Sequence, residues 1–320
     1  MSMKKRLLIL SHDNKIGDAI VATGLLHPLS AHTTGWEIGV LCGPTNAALY
    51  LNHPNVRWVH ISRSRNVFAR IWASLKARRV QYDSVVHFGL DVDNFSDNLM
   101  FWLIKAKQRY LFAKNPVNPL PNDIIVNGLS DGSHYSKRHE LLLKTLGIPI
   151  STYQYDIRLK EINVNYRRNK TLSMLVINSQ GSAADRSLSL SWLQELISMV
   201  LEQCTTTEIL LLSASRDHEK ELKKEFLGLS NRVSVSPFHS SVSHALMIIR
   251  DADVVLTPDT YAVQAASAWN IPVIALYAPN GQAQLWAPLS DKRVQIEASS
   301  EKTVNDIDVS VVVQALREVM

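Results

Sequence analysis

The chain has 320 residues, of which 46% are hydrophobic and 20% charged, so it exceeds the usual size of one hydrophobic core and is neither disordered nor fibrous. Its formal net charge of +5 favours acidic partners, such as nucleic acid, anionic lipid or a phosphorylated sugar. Its two cysteines, Cys42 and Cys204, form no CxxC pair, which excludes the common zinc and redox motifs and agrees with free thiols in a reducing compartment.

The amino-terminal segment has a basic start and a short apolar run, which His12 and Asp13 interrupt. The run is too short for a signal peptide. No segment approaches the roughly 18 apolar residues that a membrane-spanning helix requires. We therefore expect a cytoplasmic protein.

The first half of the chain alternates predicted strands and helices. Strands are predicted at 6–10, 36–41 and 84–88, and a helix from 18 to about 29. This alternation is typical of a parallel sheet covered by helices.

Another helix is predicted over 66–79, where Phe68, Ile71, Trp72 and Leu75 recur at helical spacing beneath a basic outer side. The surrounding stretch from 57 to 82 has no acidic residue. Its seven basic residues are Arg57, Arg63, Arg65, Arg70, Lys76, Arg78 and Arg79. Such a run could bind phosphates or rest on an anionic membrane leaflet, but it is equally typical of a solvated helix face.

A polar stretch at 152–170 separates this half from a second α/β pattern. There, strands are predicted at 174–178, 208–213, 253–257 and 272–277, and helices at 191–202, 216–227, 239–250 and 260–269. The chain is therefore predicted to have two Rossmann-like domains, at 1–160 and 161–320. Their ligand loops, at the carboxyl ends of the strands, would face each other across a cleft.

The loop after the first strand carries three groups that could act as a base. Asp18 could remove a proton or could cap the following helix, because an acidic group near a helix start satisfies free amides and the dipole. Asp13 and His12 compete with it for the catalytic role. Spacing alone leaves the assignment open.

The turn after the strand at 174–178 contains Gly181, Ser182 and Arg186. A glycine at this place lets the backbone approach a phosphate, and the arginine could pair with its charge. An ordinary strand-to-helix turn with an exposed arginine would look the same.

The most specific segment runs from 251 to 280, where Asp259 and Thr260 open a helix rich in small residues. The amides and the positive dipole end of such a helix suit a diphosphate. Asp259 would repel phosphate, so a ligand role would concern sugar hydroxyls or amide orientation. Its alternative role is that of a helix cap.

Together these segments, over nearly the whole chain, resemble glycosyltransferase family 9, the heptosyltransferases. The opening LLILSHDNKIGDAIVATGLLHPL is similar to the family's Gly-Asp entry into a helix, which singles out Asp18 as the base. NSQGSAADRSLSLSW places Arg186 at or near a position where many members have lysine. Two departures are Gln264, where many members have histidine, and AlaProAsn in place of GlyProThr after Tyr277.

The resemblance implies a GT-B fold and inverting transfer of heptose from ADP-heptose to a lipopolysaccharide inner-core acceptor, without metal or cofactor. Asp18 would be the catalytic base. The donor would be bound by Gly181, Ser182, Arg186, Asp259 and Thr260, and the acceptor, an anionic lipid-linked saccharide, by Arg63, Arg65, Arg70, Lys76 and Asp91.

Two further features are interpreted in this light. Asp91 and Asp93 form a DxD pattern, which we interpret as incidental or as an acceptor contact, because the family is metal-free. Lys137, Arg138 and His139 form a second basic cluster, for which a structural role is favoured. The protein could also touch the cytoplasmic face of the inner membrane.

Other function classes stay open or are disfavoured. A GT-B transferase or epimerase with another nucleotide sugar would have a similar diphosphate site, and a non-catalytic partner in glycan assembly would keep the same fold. A dinucleotide dehydrogenase is disfavoured because no GxGxxG follows the first strand. We find no RRM, KH or helix-turn-helix signature of nucleic-acid binding.

Overall fold

The computed structural model describes residues 4–33, 35–64, 66–89, 95–112, 121–164, 166, 168–181, 183–279, 281–299 and 303–320. The chain divides into two compact units, Met1–Lys160 and Glu161–Met320. Each unit contains one six-stranded parallel sheet, so the predicted α/β class is confirmed.

In the first unit the sheet has the order β3-β2-β1-β4-β5-β6. The strands are β1 (Arg6–Ser11), β2 (Glu37–Cys42), β3 (Val56–Ile61), β4 (Ser84–His87), β5 (Gln108–Leu111) and β6 (Asp123–Ile125). The helices are α1 (Ile16–Thr23), α2 (Leu26–Ala31), α3 (Ala48–Leu51), α4 (Val67–Arg78), α5 (Phe95–Ile104) and α6 (Lys137–Thr145).

In the second unit the order is β12-β11-β10-β7-β8-β9. The strands are β7 (Ser173–Ile177), β8 (Thr207–Leu211), β9 (Val233–Val235), β10 (Val254–Pro258), β11 (Val273–Tyr277) and β12 (Arg293–Glu297). The helices are α7 (Leu190–Gln203), α8 (Arg216–Phe226), α9 (Val242–Arg250), α10 (Tyr261–Ala268), α11 (Gln282–Leu285) and α12 (Val309–Val319), with 3₁₀ turns at Ala184–Arg186 and Val304–Asp306.

Both sheets reverse their strand order beside their first strand. In the first unit the chain builds outward from β1 through β2 and β3, then returns to place β4 on the other side. In the second unit β10 returns beside β7 in the same way. Ligands of such sheets bind where the order reverses, at the carboxyl ends of the strands. The loops after β1, β4, β7 and β10 are therefore the places to look for a site.

The long helix predicted from residue 18 is instead two helices. The first starts at Ile16 and ends at Thr23, and the second starts at Leu26. Pro28 explains the interruption, because its ring nitrogen cannot donate to the carbonyl of Gly24 and its ring would clash with it.

In the part of the chain that the structure describes, five strands were not predicted: β3, β5, β6, β9 and β12. Two of them, β6 and β9, are only three residues long. Both β3 and β12 are edge strands with no buried run, unlike β1, which is buried from its second residue onward. Apolar runs, the signal for buried parallel strands, are weak at such edges.

The orientation of α4 differs from the predicted one. Ala73, Ser74 and Ala77 face inward and are at most 2% exposed. Phe68 and Trp72, which the apolar spacing placed on the inner side, are 77% and 66% exposed. The small residues allow α4 to pack closely on its neighbours, which leaves the large side chains outside.

Among the described residues, no helix combines the length and apolar character needed to cross a bilayer.

Candidate functional site

The first site lies where β1 ends, and neighbouring elements hold this end in place. The Asn46 side-chain amide donates to the Ser11 carbonyl at 2.9 Å, and the Tyr50 hydroxyl donates to Ser11 Oγ at 3.1 Å. These partners are buried, so the loop that follows starts from a rigid point.

Asp18 lies in the first turn of α1, at its third residue. It is not the cap residue, because Lys15 occupies that position and makes no side-chain capping bond. The Asp18 carboxylate is instead hydrogen-bonded to the phenol of Tyr135. Burial raises the pKa of Asp18, and the nearby Asp13 carboxylate adds to the rise, while Tyr135 and Lys15 oppose it. A half-buried carboxylate with a raised pKa is a stronger base than an ordinary aspartate.

Asp13 and His12, the other two candidates for the base, are each hydrogen-bonded to a nearby residue. Asp13 accepts the backbone N–H of Lys15 at 3.3 Å and lies 3.5 Å from the Lys15 ammonium, which makes it part of the turn. His12 donates through Nε2 to Asp97 Oδ1 at 3.0 Å, and both side chains are buried. These contacts favour Asp18 as the base of this loop.

Three polar side chains near this loop form a cluster that the sequence reasoning missed in part. His12, His87 and Asp97 bring their potential ligand atoms within 4.8 Å of one another. Burial lowers the pKa of His87 to about 4, so this ring is neutral at physiological pH. Arg70 Nη1 lies 3.8 Å from the same Asp97 oxygen that His12 contacts. A fixed positive charge there disfavours a cation, so the cluster suits polar recognition better than metal binding.

The predicted acceptor contacts do not form one group. Arg63 is exposed in the loop before α4, and Arg70 turns inward to Asp97, so both lie at the carboxyl edge of the sheet. Lys76 is exposed six residues further along α4, about 9 Å away by helical rise. The remaining two predicted contacts, Arg65 and Asp91, lie outside the described residues, as does Asp93.

The predicted basic cluster, Lys137, Arg138 and His139, makes contacts within the first unit. Arg138 donates to the Phe88 carbonyl at 2.7 Å and lies over the Tyr135 ring. His139 is 1% exposed and stacks on Phe88, with ring centroids 3.9 Å apart. Lys137 pairs with Glu140 at 3.0 Å. The cluster orients Tyr135, the partner of Asp18.

The second site lies where β7 and β10 end side by side. The Asn178 side-chain amide donates to the hydroxyls of Thr257 and Thr260, each at 3.0 Å. Thr260 is the cap residue of α10, and its hydroxyl also accepts the Ala262 N–H at 3.2 Å. Asn178, which sequence reasoning did not single out, thus joins the first turn to the start of α10.

Arg186 and Asp259 form an ion pair in this second site, with Nη1 and Oδ2 3.3 Å apart. Burial raises the pKa of Asp259, and the Arg186 charge opposes the rise. Since Thr260 caps the helix, the alternative of Asp259 as cap is wrong.

The turn before Arg186 is tight. A Cβ on Gly181 would lie 2.1 Å from the Arg186 carbonyl oxygen, so only glycine fits there without a backbone shift. Ser182 lies outside the described residues. The structure therefore brings Gly181, Arg186, Asp259 and Thr260 together at one sheet edge.

A histidine that the sequence reasoning missed supports the same turn. His218 Nδ1 accepts the Ala214 N–H at 3.1 Å, so its proton sits on Nε2, which lies 3.2 Å from the Ser179 hydroxyl. The imidazole is therefore a donor to Ser179 and cannot activate this hydroxyl as a nucleophile.

Gln264, one of the departures from the family pattern, is 1% exposed. Its amide donates to the Trp286 carbonyl at 3.1 Å, and the Tyr277 hydroxyl donates to the same oxygen at 2.9 Å. Gln264 therefore fixes the segment that follows β11.

Known proteins resemble this chain over most of its length. The model of glycosyltransferase family 9 (heptosyltransferase) matches residues 68–310. A curated Escherichia coli (strain K12) protein named "Putative lipopolysaccharide heptosyltransferase 4" is 22% identical over 341 aligned residues, which cover 98% of this chain and 87% of that protein.

Solved structures give the same result. The glycosyl transferase family 9 structure from Veillonella parvula has a TM-score of 0.80 at 12% identity, covering 99% of this chain and 98% of the other. E. coli heptosyltransferase WaaC with ADP has a TM-score of 0.78 at 17% identity, covering 98% of this chain and 100% of the other. These likenesses confirm the predicted GT-B fold class.

Proposed function

Because the chain belongs to glycosyltransferase family 9, the heptosyltransferases, we propose that it transfers heptose from ADP-heptose to a lipopolysaccharide inner-core acceptor, a lipid A bearing Kdo or heptose. The observation that carries the proposal is that the chain holds both parts the reaction needs: a half-buried carboxylate with a raised pKa, Asp18, in the first unit, and an anion site at Arg186 and Thr260 in the second. The relative crystallised with ADP supports the choice of nucleotide.

The second unit would bind the donor. The first turn of α10, capped by Thr260, presents backbone N–H groups and a positive dipole end, which suit a diphosphate. Arg186 would exchange its contact with Asp259 for the diphosphate, and Gly181 allows the tight turn that holds Arg186 in this place. Asp259 would then accept hydrogen bonds from sugar hydroxyls.

The first unit would bind the acceptor. Asp18 removes the proton from the acceptor hydroxyl, the oxygen attacks the anomeric carbon, and the bond to ADP breaks with its electron pair on the phosphate. Attack opposite the leaving group inverts the anomeric centre. Arg186 stabilises the negative charge that develops on ADP, so we propose that no metal is required.

The anionic saccharide would meet the cations at the carboxyl edge of the first sheet. Arg63 is exposed there, and Arg70 lies beside the His12–Asp97 pair. Carboxylates of Kdo suit guanidinium groups because both are planar and can form two hydrogen bonds. We propose that this reaction takes place at the cytoplasmic face of the inner membrane, where a lipid-linked acceptor would be presented.

The experiment measures ADP release from ADP-L-glycero-D-manno-heptose with a Kdo-containing lipid A acceptor. Asp18→Asn is expected to lower kcat by about 10²- to 10⁴-fold, the usual contribution of a general base. Asp13→Asn is the matched control in the same loop and should keep most of the activity. No turnover by the wild type with this pair would refute the proposed substrates, and full activity of Asp18→Asn would refute its role as base.

A further inference from the structure

The outer side of α4 carries large apolar side chains at helical spacing. Phe68, Trp72 and Leu75 follow one another at positions i, i+4 and i+7 and are 77%, 66% and 37% exposed. The neighbouring Val67 is 42% exposed. Residues with this spacing share one helix face, so they form a continuous stripe, the α4 stripe. Single exposed apolar residues are normal on protein surfaces, but a continuous patch marks an interaction site.

The neighbouring helix extends this surface. Arg70 on α4 and Asp97 on α5 lie 3.8 Å apart, which joins the first turns of the two helices. Both helices follow strands of one parallel sheet and therefore run in the same direction. Leu75 lies five residues after Arg70 on α4, and Trp102 lies five residues after Asp97 on α5. Leu75 and Trp102 therefore lie at the same height along the two helices. Trp102 is 66% exposed.

The charges around the α4 stripe have one sign. No acidic residue occurs from Arg57 to Tyr82, and Arg63, Lys76, Arg78 and Arg79 are all exposed. At the carboxyl ends of α4 and α5 lies a cavity of about 840 Å³ in which cations outnumber carboxylates. Six of its lining residues are cationic, namely Lys4, Lys5, Arg6, Arg78, Lys105 and Lys107, and two, Glu37 and Asp83, are acidic and pair with Arg6 and Lys107.

We propose that the α4 stripe docks this protein onto an anionic lipid bilayer, with Phe68 and Trp72 inserted at the headgroup level. An apolar helix face rich in aromatic residues and flanked by lysine and arginine is the pattern of a helix that lies in the membrane interface. Each cation near an anionic leaflet adds electrostatic attraction. A second copy of this chain would bring the same positive charges together, so self-association through this face is disfavoured.

The proposal deepens the proposed function, since it names the surface that would hold the enzyme beside a lipid-linked acceptor. It does not depend on the donor or on the chemistry. An experiment can therefore refute membrane docking without refuting heptose transfer, and the reverse.

The test is flotation with vesicles of 70% phosphatidylethanolamine and 30% phosphatidylglycerol, which contain no acceptor. Phe68→Ser with Trp72→Ser is expected to reduce the bound fraction and to lower the partition coefficient about tenfold or more, given the loss of two inserted aromatic side chains. Arg78→Glu with Arg79→Glu should have a similar effect, and so should high salt or vesicles of neutral lipid. The matched control is Leu227→Ser with Leu229→Ser, which removes two exposed apolar residues of the second unit, 61% and 59% exposed, and should leave binding unchanged.

A second measurement separates docking from catalysis and from misfolding. The Phe68→Ser, Trp72→Ser variant should keep the wild-type melting temperature and the wild-type rate with a deacylated, water-soluble acceptor. Vesicle binding by this variant at the wild-type level would overturn the proposal. A change from dimer to monomer with vesicle binding intact would overturn it too, in favour of a second copy as the occupant.

Discussion

The Arg186 guanidinium lies 3.3 Å from the Asp259 carboxylate, although 73 residues separate them in the chain. The pair joins the turn after β7 to the start of α10, the two segments that border the reversal of the second sheet. An arginine held by one carboxylate is oriented in advance and can move to a diphosphate at little cost.

Arg186→Gln should therefore weaken ADP binding by about 10- to 150-fold, which corresponds to the loss of one charge-assisted hydrogen bond. Arg186→Lys should lie between this variant and the wild type, because it keeps the charge and loses the planar fork. Isothermal titration with ADP measures both. Arg216→Gln, an exposed arginine at the start of α8, is the control and should bind like the wild type. Unchanged ADP binding by Arg186→Gln would refute its donor role.

Tyr135→Phe should shift the pH dependence of turnover. The Tyr135 hydrogen bond lowers the pKa of Asp18, against the larger rise that burial causes. A base must be deprotonated, so activity falls as the pH drops through this pKa. Removal of the phenol raises the pKa further, and the acidic limb of the profile of kcat/KM should move to higher pH with little change in the plateau. An unmoved limb would show that Asp18 does not control it. Tyr166→Phe, in the second unit, is the control.

The sequence predicted the sheet class and the ends of β1, β4, β7 and β10, because those strands are apolar runs followed by polar loops. That is why the loops that carry Asp18, Gly181, Asp259 and Thr260 could be selected in advance, whereas the choice of Asp18 over Asp13 and His12 came from the family resemblance. Asn178 was missed, since its role depends on β10 returning beside β7, which places Thr257 and Thr260 within reach of its amide. Such proximity is a property of sheet order, not of any local motif.

The helix α4 was predicted, but the face expected to be buried was wrong, and for a different reason. Helical periodicity identifies an apolar face but not what covers it. In this helix the core accepts the small side chains of Ala73 and Ala77, and the large ones of Phe68 and Trp72 are left on the surface. Arg70 differs from the prediction in the opposite direction: it was expected on the outer side of the helix, but its side chain turns inward to Asp97.

His139 should make the first unit sensitive to acid. Burial lowers its pKa to about 3, compared with a usual value of 6.5. Below pH 6.5 the unfolded chain binds a proton that the folded one does not, so stability falls as the pH decreases from 6.5 towards 3. At pH 5 the free energy of unfolding is lower by about 2 kcal/mol for this reason. The free energy of unfolding in urea should therefore fall less between pH 7 and pH 5 in His139→Phe than in the wild type. In His27→Phe, which replaces an exposed histidine, it should fall as much as in the wild type. An equal pH dependence in His139→Phe and wild type would contradict the assignment.

Chelation should leave the transferase reaction intact. Among the described residues, the one group of three potential metal ligands is His12, His87 and Asp97. Its carboxylate already accepts a hydrogen bond from His12 and lies 3.8 Å from Arg70, whose charge opposes a bound cation. The charge that a metal would stabilise on the leaving diphosphate can be met by Arg186 and the first turn of α10.

We therefore expect ADP release to change less than about twofold after treatment with EDTA, in contrast to enzymes in which a metal activates the leaving group. Elemental analysis of the purified protein should find substoichiometric zinc, iron and manganese, and His12→Asn should not change the metal content. Loss of activity with EDTA and its recovery with magnesium would refute this mechanism. Stoichiometric metal that disappears in His12→Asn would instead identify the His12, His87 and Asp97 cluster as a metal site, because no other described residues offer three such ligands at this spacing.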